Sequence, residues 1–398
     1  MRRLKVAGIL LVVFAIVSCG GGGGGGSGSS SDVRNTTGGA SSTPNSQSTG
    51  ASNTLAPSWR LERVQPTSTG LSSQAVENIL LHVFTDKAVQ SATLVKDGYI
   101  VGERFSDGIN ASTLGTSWSV AKSFYSAAIG IAIEQGWIAS LDQKASVFLT
   151  QWQGTSKEDI TIRHILEMRA GIDDPGSIFT NFDQTQYAIN APKVRQEGIQ
   201  FAYSNPTSQL FEPLIRIATG LDAHAFLRQE LLLPIGIDPN LIGMWSDPSG
   251  DNPLTYMGLD MRPVDMAKFG LLYARGGEWD GRQVIPTQYV QESLTAQSSS
   301  YGFQWWILNA AYFGQPTTIS VVAALGLHGQ KIYVWADEDV VLVVHTRYQH
   351  SQNQGYALST SNYPDTCTGR NSCPGATGDE VPGYDERELV NLLAALGN

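Results

Sequence analysis

Between Gly108 and Ile133 the chain carries a single charged side chain, Lys122. The residues around it, SVAKSFYSAAIGIAI from Ser119 to Ile133, are otherwise small, apolar or aromatic. A helix that is apolar all round is a buried helix, and a lysine enclosed in one needs a chemical reason. The pattern predicts a helix from about Ser119 to Gln135, closed by Gly136 as its C-cap. Ser119 and Lys122 are three residues apart, so they share one helical face within a turn. Desolvation favours the neutral, proton-accepting amine, which is what a nucleophilic serine requires beside it. Ser119 in the first turn also meets free backbone N–H groups and the positive helix end, a setting that favours a developing oxyanion.

An S-x-x-K string by itself usually marks a surface helix pair. Here it is the chain's one S-x-x-K, and 84 residues later comes its one Y-x-N, Tyr203-Ser204-Asn205, inside FAYSNP. That polar segment between helices can project side chains into a cleft. Ser119 with Lys122 is therefore the expected nucleophile pair, and the two motifs together weigh more than either alone. Asn205 is a substrate-contact candidate, with bracing of its own loop as the alternative, since Asn readily bonds local backbone.

Around this core the expected fold class is α+β: an antiparallel sheet flanked by helices, with a mostly helical insertion. Ser91–Lys96 and Tyr99–Phe105 are strand-like runs joined by Asp97-Gly98, a strong hairpin signal. Residues 106–300 read mostly as helices and long loops. Strands return at Phe303–Leu308, Thr318–Ala324, Gln330–Trp335 and Val340–His345, and Glu386–Leu396 is an amphipathic helix able to cover the sheet. Residues 57–105 and 301–398 would form the α/β part of one domain spanning 57–398.

The start of the chain reads as an export leader. Arg2, Arg3 and Lys5 precede an apolar run from Val6 to Val17, and Ser18-Cys19 follows. The run is shorter than the ~20 residues that span a bilayer, so residues 1–18 are expected to be a lipoprotein signal peptide and Cys19 the lipidated end. Residues 19–56, rich in Gly, Ser, Thr and Asn, are expected to be a flexible tether. The net charge of −10 falls to −13 once the three leader cations are removed, which argues against nucleic acid as a partner. Cys367 and Cys373 lie six apart in a loop-like stretch, and in an oxidising compartment they are expected to pair as a disulfide. The six histidines show no metal-ligand spacing, so no metal and no cofactor are expected.

Taken together the residues resemble the serine β-lactamase and penicillin-binding-protein superfamily, in particular its class C-like branch of esterases and 6-aminohexanoate-dimer hydrolase-like enzymes. The resemblance runs from about Leu71 to Tyr348. It rests on SVAK at Ser119, TIRHILEMRAG at Thr161, YSN at Tyr203, MRPVDMAKFG at Met261, YGFQWW at Tyr301 and ALGLHGQ at Ala324. It implies the β-lactamase/transpeptidase-like fold, Ser119 as the acylated nucleophile, Lys122 and Tyr203 as proton carriers, and an oxyanion hole from the N–H of Ser119 and of Leu325 or Ala324. His328 is expected to line the cleft or to support its Gly-rich turn. Of Trp305 and Trp306, which alternate across a strand, one is expected in the core and the other in the pocket wall, with Trp305 assigned to substrate. His345 is expected to be structural.

One departure bears on substrate. Lactam-binding members carry Lys-Thr-Gly or His-Thr-Gly on the sheet-edge strand, and ungapped alignment sets Val321-Val322-Ala323 there. Without a cation or hydroxyl to hold a carboxylate, small esters, or amides lacking that anchor, are the expected substrates. The alternatives are a β-lactamase or D,D-peptidase-like enzyme, or a catalytically silent surface lipoprotein. An α/β-hydrolase elbow is disfavoured, since no G-x-S-x-G occurs.

Overall fold

The computed structural model describes residues 54–86, 88–346 and 384–397, without the side chain of His328. Cys19, Cys367 and Cys373, and with them the expected lipid attachment and disulfide, lie outside the described residues. The described residues form one compact unit.

A six-stranded antiparallel sheet is assembled from both ends of this unit. Its strands are β1 (Val89–Lys96), β2 (Tyr99–Phe105), β8 (Trp306–Ile307), β9 (Val322–Gly326), β10 (Gln330–Trp335) and β11 (Val340–Thr346), in the order β2-β1-β11-β10-β9-β8. Asp97 and Gly98 close the first hairpin with φ of 53° and 75°, the pair of left-handed residues that a two-residue turn favours. Both faces of the sheet are covered, so the central strands carry continuous apolar runs, Ile332–Trp335 in β10 and Val340–Val344 in β11, rather than alternating. In β11, Val340, Leu342 and Val344 pack with α1 (Ser73–Val83) and the C-terminal helix, while Val341 and Val343 join the larger core on the other side. Tyr333 and Trp335 of β10 face the first layer and Ile332 and Val334 the second.

The larger core is built on α2 (Ala121–Glu134), in which every residue from Ala121 to Ala132 is buried. It is enclosed by α3 (Ile162–Leu166), α4 (Gln184–Asn190), α5 (Asn205–Gln209), α6 (Phe211–Thr219), α7 (Ala223–Leu227), α8 (Pro263–Ala274) and α9 (Thr287–Ser293). A short α10 (Ala310–Phe313) precedes β9, and α11 (Glu386–Ala394) is the C-terminal helix, capped by Asp385 accepting from the N–H groups of Arg387 and Glu388. A second, three-stranded sheet is formed by β3 (Gly115–Thr116), β5 (Leu259–Met261) and β4 (Gly243–Met244), and its strand β3 shortly precedes α2 in the chain. The hairpin of β6 (Glu278–Trp279) and β7 (Arg282–Gln283) follows α8.

Two expected strands differ from those observed. Phe303–Leu308 shrinks to Trp306–Ile307 because the chain before it belongs to the helices. Gln304 sits at φ 63° and donates to the carbonyls of Ile165 and Leu166 at 3.2 and 2.7 Å, and the carbonyls of Phe303 and Gln304 accept from Ser126 and Ser123. The next strand starts at Val322 rather than Thr318 and continues to Gly326, held by the pairing of Gly326 with Gln330. A hydrophobic run ends at such a glycine, whereas a backbone ladder does not.

Candidate active site

Ser119 is delivered by β3. The N–H of Ser117 donates to the Leu259 carbonyl at 2.8 Å, and Ser117 Oγ accepts from the Leu259 N–H at 2.9 Å, pinning the end of β3 to β5. Trp118 then adopts φ 45°. A bulky residue in that region carries about 1–3 kcal/mol of strain and persists only where its surroundings hold it. A 3-10 turn, Trp118–Val120, follows and runs straight into α2, so Ser119 stands half-buried at the head of the helix.

Lys122, on the first turn of α2, is 1% exposed. Its Nζ lies 2.8 Å from Ser119 Oγ, 2.9 Å from Asn205 Oδ1 and 2.8 Å from the Tyr256 carbonyl oxygen. The last two partners can only accept, so they occupy two N–H bonds of the amine. In a neutral lysine the remaining position is a lone pair, and it faces the Ser119 hydroxyl. Burial lowers the pKa of Lys122 from 10.5 to about 7, with Asp174 pulling it the other way.

Tyr203 and Asn205 come from the segment that opens α5. Ser204 caps this helix by accepting from Thr207 N–H at 3.1 Å, and Asp174 Oδ2 accepts from the Asn205 N–H at 2.7 Å. Two side chains of one short turn are thereby aimed at α2. The ring centroid of Tyr203 is 5.0 Å from Lys122 Nζ. Burial raises its phenol pKa, Ser119 counters by favouring the phenolate, and the Asp174 charge adds to the rise. Ser119 thus faces an amine poised near neutrality and a phenol held protonated.

The open flank of the site is the edge of β9. Its neighbour β8 is two residues long and pairs Trp306 with Ala323 and Ile307 with Val322, so from Ala324 onward that edge is free of β8. Leu308 N–H donates to the Val321 carbonyl at 2.9 Å. Backbone groups alternate along a strand, which turns Leu325 N–H to the open edge and Ala324 N–H towards β10. Gly326 is extended (φ −110°, ψ 150°), so Leu327 N–H shares the side of Leu325. A Cβ at Gly326 would lie 2.3 Å from the Ser117 carbonyl oxygen and 3.3 Å from Trp118 Cβ. The strand therefore touches the nucleophile turn at Gly326. A side chain is excluded at Gly326 by that contact, and the residues before it on the strand, Ala324-Leu325 as well as Val321-Val322-Ala323, provide neither a cation nor a hydroxyl.

Ser119, Lys122, Tyr203 and Asn205 come together, whereas Trp305 does not join them. Trp305 is fully buried in the core, stacked with Phe269 at 5.9 Å and tilted against Tyr273 at 4.6 Å. The expectation for Trp305 is corrected: it is the core member of the pair, and Trp306, half-buried and stacked on Tyr203, is the one beside the site. Alternation predicts that the pair splits but not which way, because the strand is too short to fix its own face. His345 is buried, with Nε2 3.0 Å from Met266 Sδ, as a structural histidine should be. The backbone of His328 lies in the turn between β9 and β10. Asp174 and Tyr256 were not anticipated: Tyr256 acts through a carbonyl, which leaves no side-chain signature, and Asp174 lies in a loop without periodicity. Among the described residues no group of His, Cys, Asp and Glu could hold a metal ion.

The family profile described as Beta-lactamase matches residues 87–359. No curated protein matches the chain. Among solved structures, a Bacillus anthracis protein described as a 6-aminohexanoate-dimer hydrolase superposes with a TM-score of 0.58 at 19% identity, over 75% of this chain and 82% of its own. The octameric penicillin-binding-protein homologue of Pyrococcus abyssi gives 0.54 at 17% identity, over 74% and 80%. EstCE1, a hydrolase with promiscuous acyltransferase activity, gives 0.57 at 13% identity, over 69% and 93%. At these identities the likeness is one of fold.

Proposed function

This chain belongs to the beta-lactamase family of hydrolases, and from that premise we propose that it is a serine hydrolase that cleaves small esters, or amides without a carboxylate anchor, through an acyl-enzyme on Ser119. The observation that carries this reading is the Lys122 amine, with a pKa near 7, placed 2.8 Å from Ser119 Oγ with its two other positions held by acceptors.

In the proposed cycle the neutral Lys122 amine takes the Ser119 proton as Oγ attacks the substrate carbonyl. The oxyanion is held by the N–H of Ser119 and of Leu325, with Leu327 N–H on the same edge. The tetrahedral intermediate collapses as Tyr203 hands its proton to the leaving alcohol or amine, and the Lys122 ammonium returns a proton to Tyr203. Water then enters the vacated position, Tyr203 and Lys122 draw off its proton, and a second collapse frees the acid and restores Ser119. Asn205 orients Lys122 and lies where it can also meet substrate. The ordinary phenol pKa is too high for Tyr203 to act alone, which supports the two groups acting as one unit.

Lys122→Ala and Tyr203→Phe should each lower kcat on the order of 10²–10⁴-fold. As members of one proton-transfer unit they should not add, so a double variant whose loss equals the product of the single losses would contradict the shared role. We further propose that the protein is exported and anchored to a bacterial membrane through lipid on Cys19. A Cys19→Ala form should be unprocessed or soluble, and normal lipid labelling of that form would refute the anchor.

A further inference from the structure

A buried carboxylate outside the reacting group holds the turn on which Ser119 stands. Asp260, in the middle strand of the β3-β5-β4 sheet, is 7% exposed. Its register partners are Thr116 on β3 and Gly243 on β4. Thr116 Oγ1 donates to Asp260 Oδ1, and Trp245 Nε1 donates to Asp260 Oδ2 at 3.0 Å. Each oxygen thus fixes a different piece of chain: Oδ1 the strand three residues before Ser119, Oδ2 the indole that follows β4.

That indole bears on the nucleophile turn. The rings of Trp245 and Trp118 meet edge to face with centroids 6.4 Å apart, and Trp118 is the left-handed residue immediately before Ser119. On another side Trp118 Cβ lies 3.3 Å from where a Gly326 side chain would begin. Trp118 is therefore confined between Trp245 and β9, and the direction in which Trp245 points is set by its bond to Asp260. A strained residue keeps its conformation only while its neighbours enforce it.

We propose that Asp260 is a positioning residue for the nucleophile: through Thr116 and Trp245 it clamps the Ser117-Trp118-Ser119 turn in the conformation that brings Ser119 Oγ to Lys122 and to the edge of β9. Asp260 touches none of the reacting atoms. The inference rests on Ser119 being the nucleophile, and it extends that reading to a second layer of the site.

The test compares purified Asp260→Ala, Asp260→Asn, Trp245→Phe and the Asp260→Ala/Trp245→Phe double variant, each first shown to be folded by circular dichroism and melting. Asparagine can donate to Thr116 Oγ1 and accept from Trp245 Nε1, so it rebuilds the clamp, whereas alanine removes it and phenylalanine deletes one of its two bonds. Two readouts are taken: the second-order rate of Ser119 labelling by a fluorophosphonate with kcat and KM for p-nitrophenyl butyrate, and amide hydrogen exchange of the segment 115–120. For Asp260→Ala we expect labelling and kcat to fall between about 10- and 100-fold, the scale of a displaced catalytic group, with KM changed less than about twofold and exchange accelerated. Asp260→Asn should recover most of the rate. Trp245→Phe should fall between, and the double variant should be no worse than Asp260→Ala. Normal labelling rates in folded Asp260→Ala and Trp245→Phe, losses that multiply, an Asp260→Asn as impaired as Asp260→Ala, or unchanged exchange would each overturn the clamp. If Asp260→Ala does not fold, Asp260→Asn and Trp245→Phe decide it by the same criteria. A wild-type protein that is not labelled at Ser119 would instead refute the nucleophile assignment, while the exchange data would still decide whether the turn is held by Asp260.

Discussion

Trp306 lies almost parallel to Tyr203, with 24° between the ring planes and 5.8 Å between centroids, and it also meets Tyr312 edge to face at 5.9 Å. Tyr312 in turn donates to Glu386 of α11 at 3.0 Å. The wall beside the proposed proton carrier is thus aromatic, half-exposed and braced from the C-terminal helix. Trp305, one residue earlier, shares none of this.

The two tryptophans should therefore fail in different ways. Trp306→Ala should fold, raise KM for apolar acyl esters and disturb Tyr203. Trp305→Ala removes a fully buried indole and should cost about 3–5 kcal/mol of stability, with the surviving folded fraction keeping its KM. Urea denaturation together with steady-state kinetics on both variants checks this. A destabilised Trp306→Ala beside a stable but inactive Trp305→Ala would reverse the assignment.

Gly326→Ala places a methyl group 2.3 Å from the Ser117 carbonyl oxygen, closer than non-bonded atoms approach. The strand and the Ser119 turn must part, so activity should fall steeply while the circular dichroism of the sheet persists. An active Gly326→Ala would show that β9 does not meet the turn there.

Because residues 321–326, which include β9, carry neither a cation nor a hydroxyl to hold a carboxylate, short acyl esters should be turned over far faster than penicillins or cephalosporins. Comparing kcat/KM for p-nitrophenyl butyrate and a chromogenic cephalosporin tests this. Equal efficiency would mean that a carboxylate is held by other residues.

Lys122 gives activity and stability opposite demands. Catalysis needs the neutral amine, so kcat/KM should rise through about pH 7 as Lys122 loses its proton. In the unfolded chain the same group titrates near 10.5, so between about 7 and 10.5 the unfolded state binds a proton that the folded state lacks, and stability rises with pH across that window. The burden, on the order of 5 kcal/mol by the shift, is fullest below about pH 7 and vanishes above 10.5. Lys122→Met should accordingly gain most relative to wild type in acid, and the gap should close as pH rises. Denaturation midpoints across this range check the sign, and a gap that widens with pH would contradict it.

Much of this site was legible in the sequence because it is written in local spacing. Ser119 and Lys122 share a turn whatever the rest of the fold does, and the absence of any other charge near Lys122 reported burial. The hairpin at Asp97-Gly98 and the apolar strands β10 and β11 were legible for the same reason. What stayed hidden depends on contacts between distant segments. Trp306 and not Trp305 faces the cleft because Gln304 is drawn into the helices, which no alternation records. The contact of β9 with the turn falls at Gly326 because of register, and Asp260 gains its meaning only when β3 and β5 pair. Backbone partners such as the Tyr256 carbonyl carry no residue signature at all.

The central claim, that Ser119 is a nucleophile activated by the buried Lys122 amine, is tested most directly by the pH dependence of fluorophosphonate labelling, with the modified residue identified by mass spectrometry. Labelling should fall on Ser119 alone, rise with an apparent pKa of about 7, and be reduced on the order of 10²–10⁴-fold in Lys122→Ala. Labelling at another residue, or of Ser119 at an undiminished rate without Lys122, would contradict it.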